Sequence, residues 1–302
     1  MSIGFVGTGT MGKPMAANCL KAGHSLRVYA RHPQKIADLV DQGAAVVSRP
    51  SDLDGCTHVV LSLPFDPEVE EVLCGHHGIL TSAAADMIII DTTTGTPSAA
   101  RKMAGLAHRR SVTYIDAPVS GGIAGAHEGR LSFLVGGADG VAELVEPVLR
   151  LMGKKIFHTG PAGTGRTIKA LNQIVSALNT LTLCETAVLG SKLGVTPTTL
   201  YEILRDCAAD SYHLRTKFPD FIIPGEFNKG HRIEMMIKDL DIALAIAKEE
   251  RMSMVMTGLA TQLYRAGASA GYAAQDISAM SNFLGGFAGI TFSGVDRTED
   301  KE

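Results

Sequence analysis

The most constraining feature of this 302-residue chain lies at its start. Four apolar residues, 3–6, run into Gly7-Thr8-Gly9-Thr10-Met11-Gly12, and a helical pattern begins with Lys13. A G-x-G-x-x-G turn that follows a strand and opens a helix has a specific physical use. Its first glycine permits the tight turn, the second lets backbone approach a pyrophosphate, and the third brings helix close to strand. The free N–H groups of the helix start then face the phosphates. Gly7, Thr8, Gly9, Thr10, Met11 and Gly12 are therefore read as a dinucleotide cradle, against the blander reading of a turn kept for packing.

The rest of the first half supports that context. Short apolar runs at 26–29, 58–63, 87–91 and 113–116 alternate with helical patterns such as 13–22 and 34–42. That is the signature of stacked βαβ units around a parallel sheet. A further strand pair, 132–136 and 155–158, flanks a helical stretch at 140–152 and extends the sheet. From about Gly160 the strand pattern fades. A long helix is expected over 166–193, ended by Gly194 with Pro197 beyond, and further helices over 197–208, 232–251 and 256–268. The expected architecture is α/β: a Rossmann-type, doubly wound parallel sheet with a second, all-α domain. Its boundaries are read as 1–163 for the dinucleotide-binding domain, 164–194 for a long interdomain helix, and 195–302 for a carboxy-terminal substrate and oligomerisation domain. The charged tail 296–302 reads as frayed.

Composition narrows the function classes. Net charge is −3, which argues against a nucleic-acid binder. Cys19, Cys56, Cys74, Cys184 and Cys207 are scattered with no C-x-x-C spacing, so they read as reduced thiols rather than a disulfide framework. His76-His77 has no ligand partner at metal spacing, so no metal site is expected. There is no signal-peptide pattern, and no uninterrupted apolar stretch reaches membrane-spanning length. A cytoplasmic protein without membrane or nucleic-acid partners is the expectation.

The second strand bears on the cofactor. An acid about 20 residues beyond the glycines would bind the ribose 2′-hydroxyl of NAD. Here the chain reads Val28-Tyr29-Ala30-Arg31-His32, with no acid until Asp38. Arg31 suits the 2′-phosphate of NADP, or it is a solvated surface charge. NADP is the expected cofactor, with NAD the alternative.

Three further motifs go beyond a generic nucleotide fold: Asp116-Ala117-Pro118-Val119-Ser120-Gly121-Gly122 at a strand end, Gly163-Thr164-Gly165-Arg166-Thr167-Ile168-Lys169-Ala170-Leu171-Asn172-Gln173 opening the long helix, and Lys238-Asp239-Leu240 in a later helix. Together with Gly4-Phe5-Val6-Gly7-Thr8-Gly9, in this order, they resemble the β-hydroxyacid dehydrogenases, the family of 3-hydroxyisobutyrate dehydrogenase and tartronate semialdehyde reductase. The resemblance implies that Lys169 is the catalytic acid/base and that Ser120, Gly121 and Gly122 hold the substrate carboxylate. It implies that Thr94 and Lys238 lie against the nicotinamide end of the cofactor, with Leu63 and Pro64 bordering it. It also implies a homodimer or homotetramer. Two positions depart from the usual pattern. Asn172-Gln173 stands where the family often has paired asparagines, and Thr92-Thr93-Thr94-Gly95-Thr96 stands where Ser-Thr and a β-branched residue are more usual.

These residue types suit hydride transfer between a nicotinamide and a small β-hydroxy acid. That reaction needs a positioned cofactor, a base for the hydroxyl proton and an anchor for a fixed charge. Asn172 and Gln173, one helical turn past Lys169, are candidates to hold substrate, and Ser211 is a candidate from the helical domain. By itself a lysine on a helix is more often solvated, so Lys169 and Lys238 rest on their motifs. Competing readings are an imine-reductase or 6-phosphogluconate-type relative, and a non-catalytic nucleotide-binding module. Imine reductases usually lack the matched lysine, and phosphogluconate enzymes are longer.

Overall fold

The computed structural model describes residues 1–293, so the charged tail at 296–302 lies outside the described residues. The chain divides into two compact units, Met1–Ala170 and Leu171–Glu302.

In the first unit the elements run β1 (Ser2–Val6), α1 (Gly12–Lys21), β2 (Ser25–Tyr29), α2 (Ala37–Asp41), β3 (Ala45–Val47), β4 (His58–Leu61), α3 (Asp66–Cys74), β5 (Ile88–Asp91), α4 (Pro97–His108) and β6 (Thr113–Asp116). They continue as β7 (Val119–Ser120), α5 (Gly122–His127), β8 (Leu131–Gly136), α6 (Val141–Met152) and β9 (Gly153–Gly160). Strand order is β3-β2-β1-β4-β5-β6-β8-β7, with β9 also on β8. The pairings from β3 through β6 are parallel, and β8 meets β6 and β7 antiparallel. The order 3-2-1-4-5-6 is that of a doubly wound nucleotide-binding sheet, whose ligands sit outside the carboxyl ends of the strands.

Period-two alternation sends successive side chains to opposite faces of this sheet. Val60, Ile88 and Ile90 join one buried cluster, with Met15 of α1 and Val145 and Leu149 of α6. Val59, Leu61 and Ile89 join another, with Val69 and Leu73 of α3 and Met103 of α4. Both faces are covered, which is why the strands read as near-continuous apolar runs.

The helix α7 (Thr164–Lys192) starts in the first unit and continues into the second. It is long and apolar enough to cross a membrane by length and composition. Its fully buried positions instead carry core packing: Ala177, Leu181, Cys184 and Ala187 belong to the second unit's apolar cluster. The other helices of that unit are α8 (Pro197–Leu204), α9 (Tyr212–Lys217), α10 (Ile233–Glu249), α11 (Val255–Gly267) and α12 (Met280–Gly286). Among the described residues it has one isolated β-bridge, Arg232 to Asp276. Asp276 is fully enclosed and satisfied. It accepts from Lys217 Nζ at 2.8 Å, His231 N at 2.8 Å, and Ser278 N and Oγ at 2.9 and 2.6 Å. A buried carboxylate requires such compensation.

Candidate active site

The glycine loop follows β1 and its residues differ in what they permit. Gly7 has φ +90°, and a side chain there would also run into the Ser62 carbonyl. A side chain on Gly12 would collide with the Gly7 carbonyl and press on Phe5. Gly9 meets nothing within 4 Å of where its Cβ would stand. Gly7 and Gly12 thus answer to packing, whereas Gly9 leaves space above an exposed stretch of backbone. The N-terminal end of α1 has no side-chain cap and no acid in its first turn, leaving its positive end to an external anion. These residues fit a dinucleotide pyrophosphate.

Arg31 is exposed two residues beyond β2. Asp38, the first acid after the glycines, is in α2 and pairs with Lys13 Nζ at 2.7 Å.

The carboxyl ends of β4 and β5 carry the loops of Leu63–Pro64 and Thr92–Thr96. Thr93 Oγ1 accepts from Leu63 N at 3.1 Å, and Thr92 Oγ1 donates to the Leu61 carbonyl at 2.7 Å, so the two loops are stitched together. Thr93 and Gly95 are buried while Thr94 between them is partly open. At the end of β6, Asp116 is fully buried and its carboxylate accepts from Gly163 N (2.6 Å) and Arg166 N (2.8 Å), the opening turn of α7. Burial raises its pKa, against the pull of those two N–H groups. Asp116 thereby anchors the helix that carries Lys169, which is buried.

One turn before Lys169, Arg166 is the largest fully buried side chain. Its Nη1 meets Asp66 Oδ1 at 2.8 Å and the Thr96 carbonyl at 3.0 Å, and its Nη2 meets Asp91 Oδ2 at 2.6 Å. Tyr114 Oη donates to the same Asp91 oxygen at 2.6 Å. Burial works against the guanidinium charge, but Asp91, Tyr114 and Asp66 outweigh it and hold its pKa above the ordinary value. Burial, then Asp91, raises Tyr114 as well.

Ser120 ends β7, and Gly121 and Gly122 follow with φ +125° and +65°. Both values favour glycine, and the pair turns the chain from β7 into α5.

In the second unit, Gln173 is buried and donates from Nε2 to Asp239 Oδ2 at 2.6 Å, while Asn172 Nδ2 donates to Gln173 Oε1 at 3.0 Å. Lys238 Nζ lies 3.0 Å from Asp239 Oδ1 and His231 Nε2 lies 3.5 Å from Oδ2. Asn172, Gln173 and Lys238 are therefore brought together through Asp239. Ser211 stands apart from that group: its Oγ caps α9 by accepting from Leu214 N at 3.0 Å, and it donates to Asn179 Oδ1 at 3.3 Å.

Asp66, Asp91, Arg166, Asp116, Asp239 and His231 were not singled out from sequence. One signal was present: Arg166, Ala170, Gln173 and Ala177 share one buried stripe of α7, and an arginine in such a stripe demands acid partners.

Comparison with known proteins identifies the family. Residues 2–160 match the profile described as the NAD binding domain of 6-phosphogluconate dehydrogenase, and residues 163–284 that of the NAD-binding of NADP-dependent 3-hydroxyisobutyrate dehydrogenase. The 2-(hydroxymethyl)glutarate dehydrogenase of Eubacterium barkeri is 36% identical over 97% of this chain and 98% of its own. The 3-hydroxyisobutyrate dehydrogenase of Pseudomonas aeruginosa is 37% identical over 87% and 90%. The chain belongs to the β-hydroxyacid dehydrogenase family. As such it is an NAD(P)-dependent hydroxy acid dehydrogenase.

Other relatives of this dehydrogenase also cover almost its whole length. The 2-hydroxy-3-oxopropionate reductase of Escherichia coli is 36% identical over 94% of this chain and 97% of its own. The solved structure of Mycobacterium tuberculosis 3-hydroxyisobutyrate dehydrogenase with L-serine has a TM-score of 0.85 at 30% identity, covering 94% and 98%. A Streptomyces aurantiacus imine reductase, at 18% identity and a TM-score of 0.62, shares the fold alone.

Proposed function

We propose that the chain oxidises a small β-hydroxy acid, or reduces the matching semialdehyde, with Lys169 as acid/base. The observation that carries this reading is Lys169 itself, buried on the first turns of a helix that Asp116 anchors to the sheet's carboxyl edge. The nicotinamide cofactor supplies the hydride chemistry. Gly7–Gly12 take its pyrophosphate, Leu63 and Pro64 border the cofactor, and Thr94 and Lys238 lie against its nicotinamide end. Ser120, Gly121 and Gly122 receive the substrate carboxylate through N–H groups and one hydroxyl. Lys169 removes the hydroxyl proton in oxidation and returns it in reduction. Gln173, one turn further along α7, is held by Asp239 and orients the polar end of the substrate, with Asn172 behind it. Ser211 is retained as a substrate contact of the helical unit, secondary to its role as a cap.

NADP is the preferred cofactor in this reading. Arg31 is exposed at the tip of β2, and Asp38 is engaged by Lys13. The acid that would favour a free 2′-hydroxyl is thus replaced by a cation.

The protein works as a homodimer or homotetramer in the cytoplasm. Leu171, Val175 and Leu189 are all exposed and fall on one stripe of α7, with the exposed Leu193 just past its end, the kind of apolar face that a second copy covers. All five cysteines are free thiols, consistent with a reducing compartment. The domain reading, with a dinucleotide-binding part to residue 163 and a helical substrate and oligomerisation part from 195, belongs to the same proposal.

The test is Lys169→Ala, assayed over a panel of hydroxy acids with NAD and NADP separately. General acid–base catalysis contributes about 10²- to 10⁴-fold. Turnover should fall by that factor while dinucleotide affinity holds. Near-normal turnover would remove Lys169 from the mechanism. Turnover of an imine instead of any hydroxy acid would favour the imine-reductase reading.

A further inference from the structure

We infer that Arg166 is a positioning residue that sets where the nicotinamide end of the cofactor is held. The inference rests on the reading that Thr94 lies against that end, with the Leu63–Pro64 loop bordering the cofactor. Arg166 lies on α7, yet its guanidinium reaches the carboxyl ends of two neighbouring strands. Nη2 binds Asp91, the last residue of β5, at 2.6 Å. Nη1 binds Asp66, the first residue of α3, at 2.8 Å, and the Thr96 carbonyl at 3.0 Å. Asp66 Oδ2 in turn accepts from Thr96 N and Oγ1, both at 2.9 Å. Asp91 Oδ1 accepts from Thr93 N at 2.9 Å. Both flanks of Thr94 are thus pinned to one guanidinium.

Gly95 completes the device. A side chain there would collide with Asp66 Oδ1 and come within 2.8 Å of Arg166 Nη1. The backbone beside Thr94 therefore lies directly against the ion pair, and only glycine permits the approach. Within the Thr92–Thr96 run, this gives a physical reason for the glycine at position 95. Arg166 also precedes Lys169 by one turn, so the same clamp couples the height of that helix turn to the Thr94 loop.

A lysine could not replace it. A single ammonium does not bridge two carboxylates and a carbonyl in the planar fork that Arg166 uses. Removing the cation would leave Asp91, with no exposed surface, without a counter-charge and held only by its hydrogen bonds from Tyr114 and Thr93. The loop would then relax and the nicotinamide ring would lose its fixed wall. The adenine half, held by Gly7–Gly12 and the tip of β2, would not notice.

The experiment separates the two halves by binding rather than by turnover. Full-length wild type, Arg166→Gln and Asp66→Asn are titrated calorimetrically with NADPH and with 2′-phospho-ADP-ribose, the same ligand without its nicotinamide ring. NADH and ADP-ribose are used as a parallel pair, and the fluorescence lifetime of bound reduced nicotinamide is recorded. Asp66 is a quarter exposed, so Asp66→Asn provides a folded variant if Arg166→Gln fails to fold. The expected result is a loss of the affinity advantage of the ringed ligand by about tenfold in Arg166→Gln and about threefold in Asp66→Asn. Affinity for the ringless ligand should stay within about twofold. The bound nicotinamide lifetime should shorten toward that of the free cofactor.

Equal weakening of both ligands, or a lower Tm with an unchanged ratio and lifetime, would make Arg166 purely structural and overturn the inference. Failure of wild type to bind either reduced dinucleotide would instead overturn the cofactor reading beneath it. Retained turnover in Lys169→Ala would overturn the acid/base reading and leave the affinity ratio standing.

Discussion

The anchoring of α7 by Asp116 can be tested by Asp116→Ala. In the wild type one carboxylate, with no exposed surface, accepts from two N–H groups of the opening turn, Gly163 at 2.6 Å and Arg166 at 2.8 Å. Hydrogen bonds to a charged group contribute about 1.5–3 kcal/mol each, and a negative charge at a helix start adds up to about 2 kcal/mol when partly buried. Against this stands the burial that raises the Asp116 pKa, because keeping the group ionised away from water costs free energy. The net loss expected for Asp116→Ala is about 3 kcal/mol, a fall in Tm of about 6–12 °C at roughly 2–4 °C per kcal/mol for a unit of this size. Asp116→Asn, which keeps one acceptor oxygen, should lose about half as much. The assay is differential scanning calorimetry of the full chain, paired with turnover. The helix start that Asp116 holds also sets Lys169, so turnover should fall more than the folded fraction does. A Tm within about 2 °C of wild type, with turnover intact, would show that other contacts hold the start of α7.

Further outcomes follow from the same structure. Gly9→Ala should leave stability within about 0.5 kcal/mol while weakening dinucleotide binding at least about tenfold; Gly12→Ala should lower stability by about 1–3 kcal/mol through overpacking against the Gly7 carbonyl. Calorimetry and titration distinguish them, and equal Tm values would refute the division between packing and ligand roles. Arg31→Ala should weaken NADPH by about 10- to 100-fold, the equivalent of a charge-assisted contact, and leave NADH within about twofold; an unchanged NADPH affinity would make Arg31 a solvated charge. His213, lowered from 6.5 to about 4 by burial and then by Lys217, stays neutral in the folded protein while the unfolded chain takes up a proton. Its contribution, at most about 3 kcal/mol, is therefore present above pH 6.5 and is lost as pH falls from 6.5 toward 4. His213→Gln should flatten that slope in urea titrations across the window, and an unchanged slope would assign the acid sensitivity elsewhere.

Much of this protein was legible in its sequence, for local reasons. Strand β6 appears at the expected residues, and β1, α1 and α10 begin or end within a residue or two of expectation, because unbroken apolar runs and glycine punctuation are properties of neighbours in the chain. The glycine loop was readable for the same reason: turn, strand and helix start lie within twelve residues. The motif that carries Lys169 could be matched to a known family's because it is one run of neighbouring residues, 163–173. Strand β3, three residues at a sheet edge, and β7, two residues, were not foreseen; so little sequence carries no period, and only a partner strand makes it a strand. Helices α3 and α4 were likewise not marked, although prolines at their first turns announce them.

Tertiary structure decided what depends on distance in space rather than in sequence. Asp66, Asp91 and Arg166 are separated by as many as 100 positions, yet a single guanidinium joins them. No pattern of one sequence says which acid will meet a buried cation. Only the folded chain showed that Gly95 gives way to that ion pair and that Asp239 holds Gln173 beside Lys238. Only there, too, did Gly9 separate from Gly7 and Gly12, three glycines that look alike in the motif but differ in what surrounds them. Turn chemistry and hydrophobic period are written residue by residue, and they determined the class of fold; the class of chemistry came from motifs that resemble a known family's. The compensation of buried charge is settled by the packing of the whole unit, and that alone fixed how the start of α7 and the loops after β4 and β5 are held.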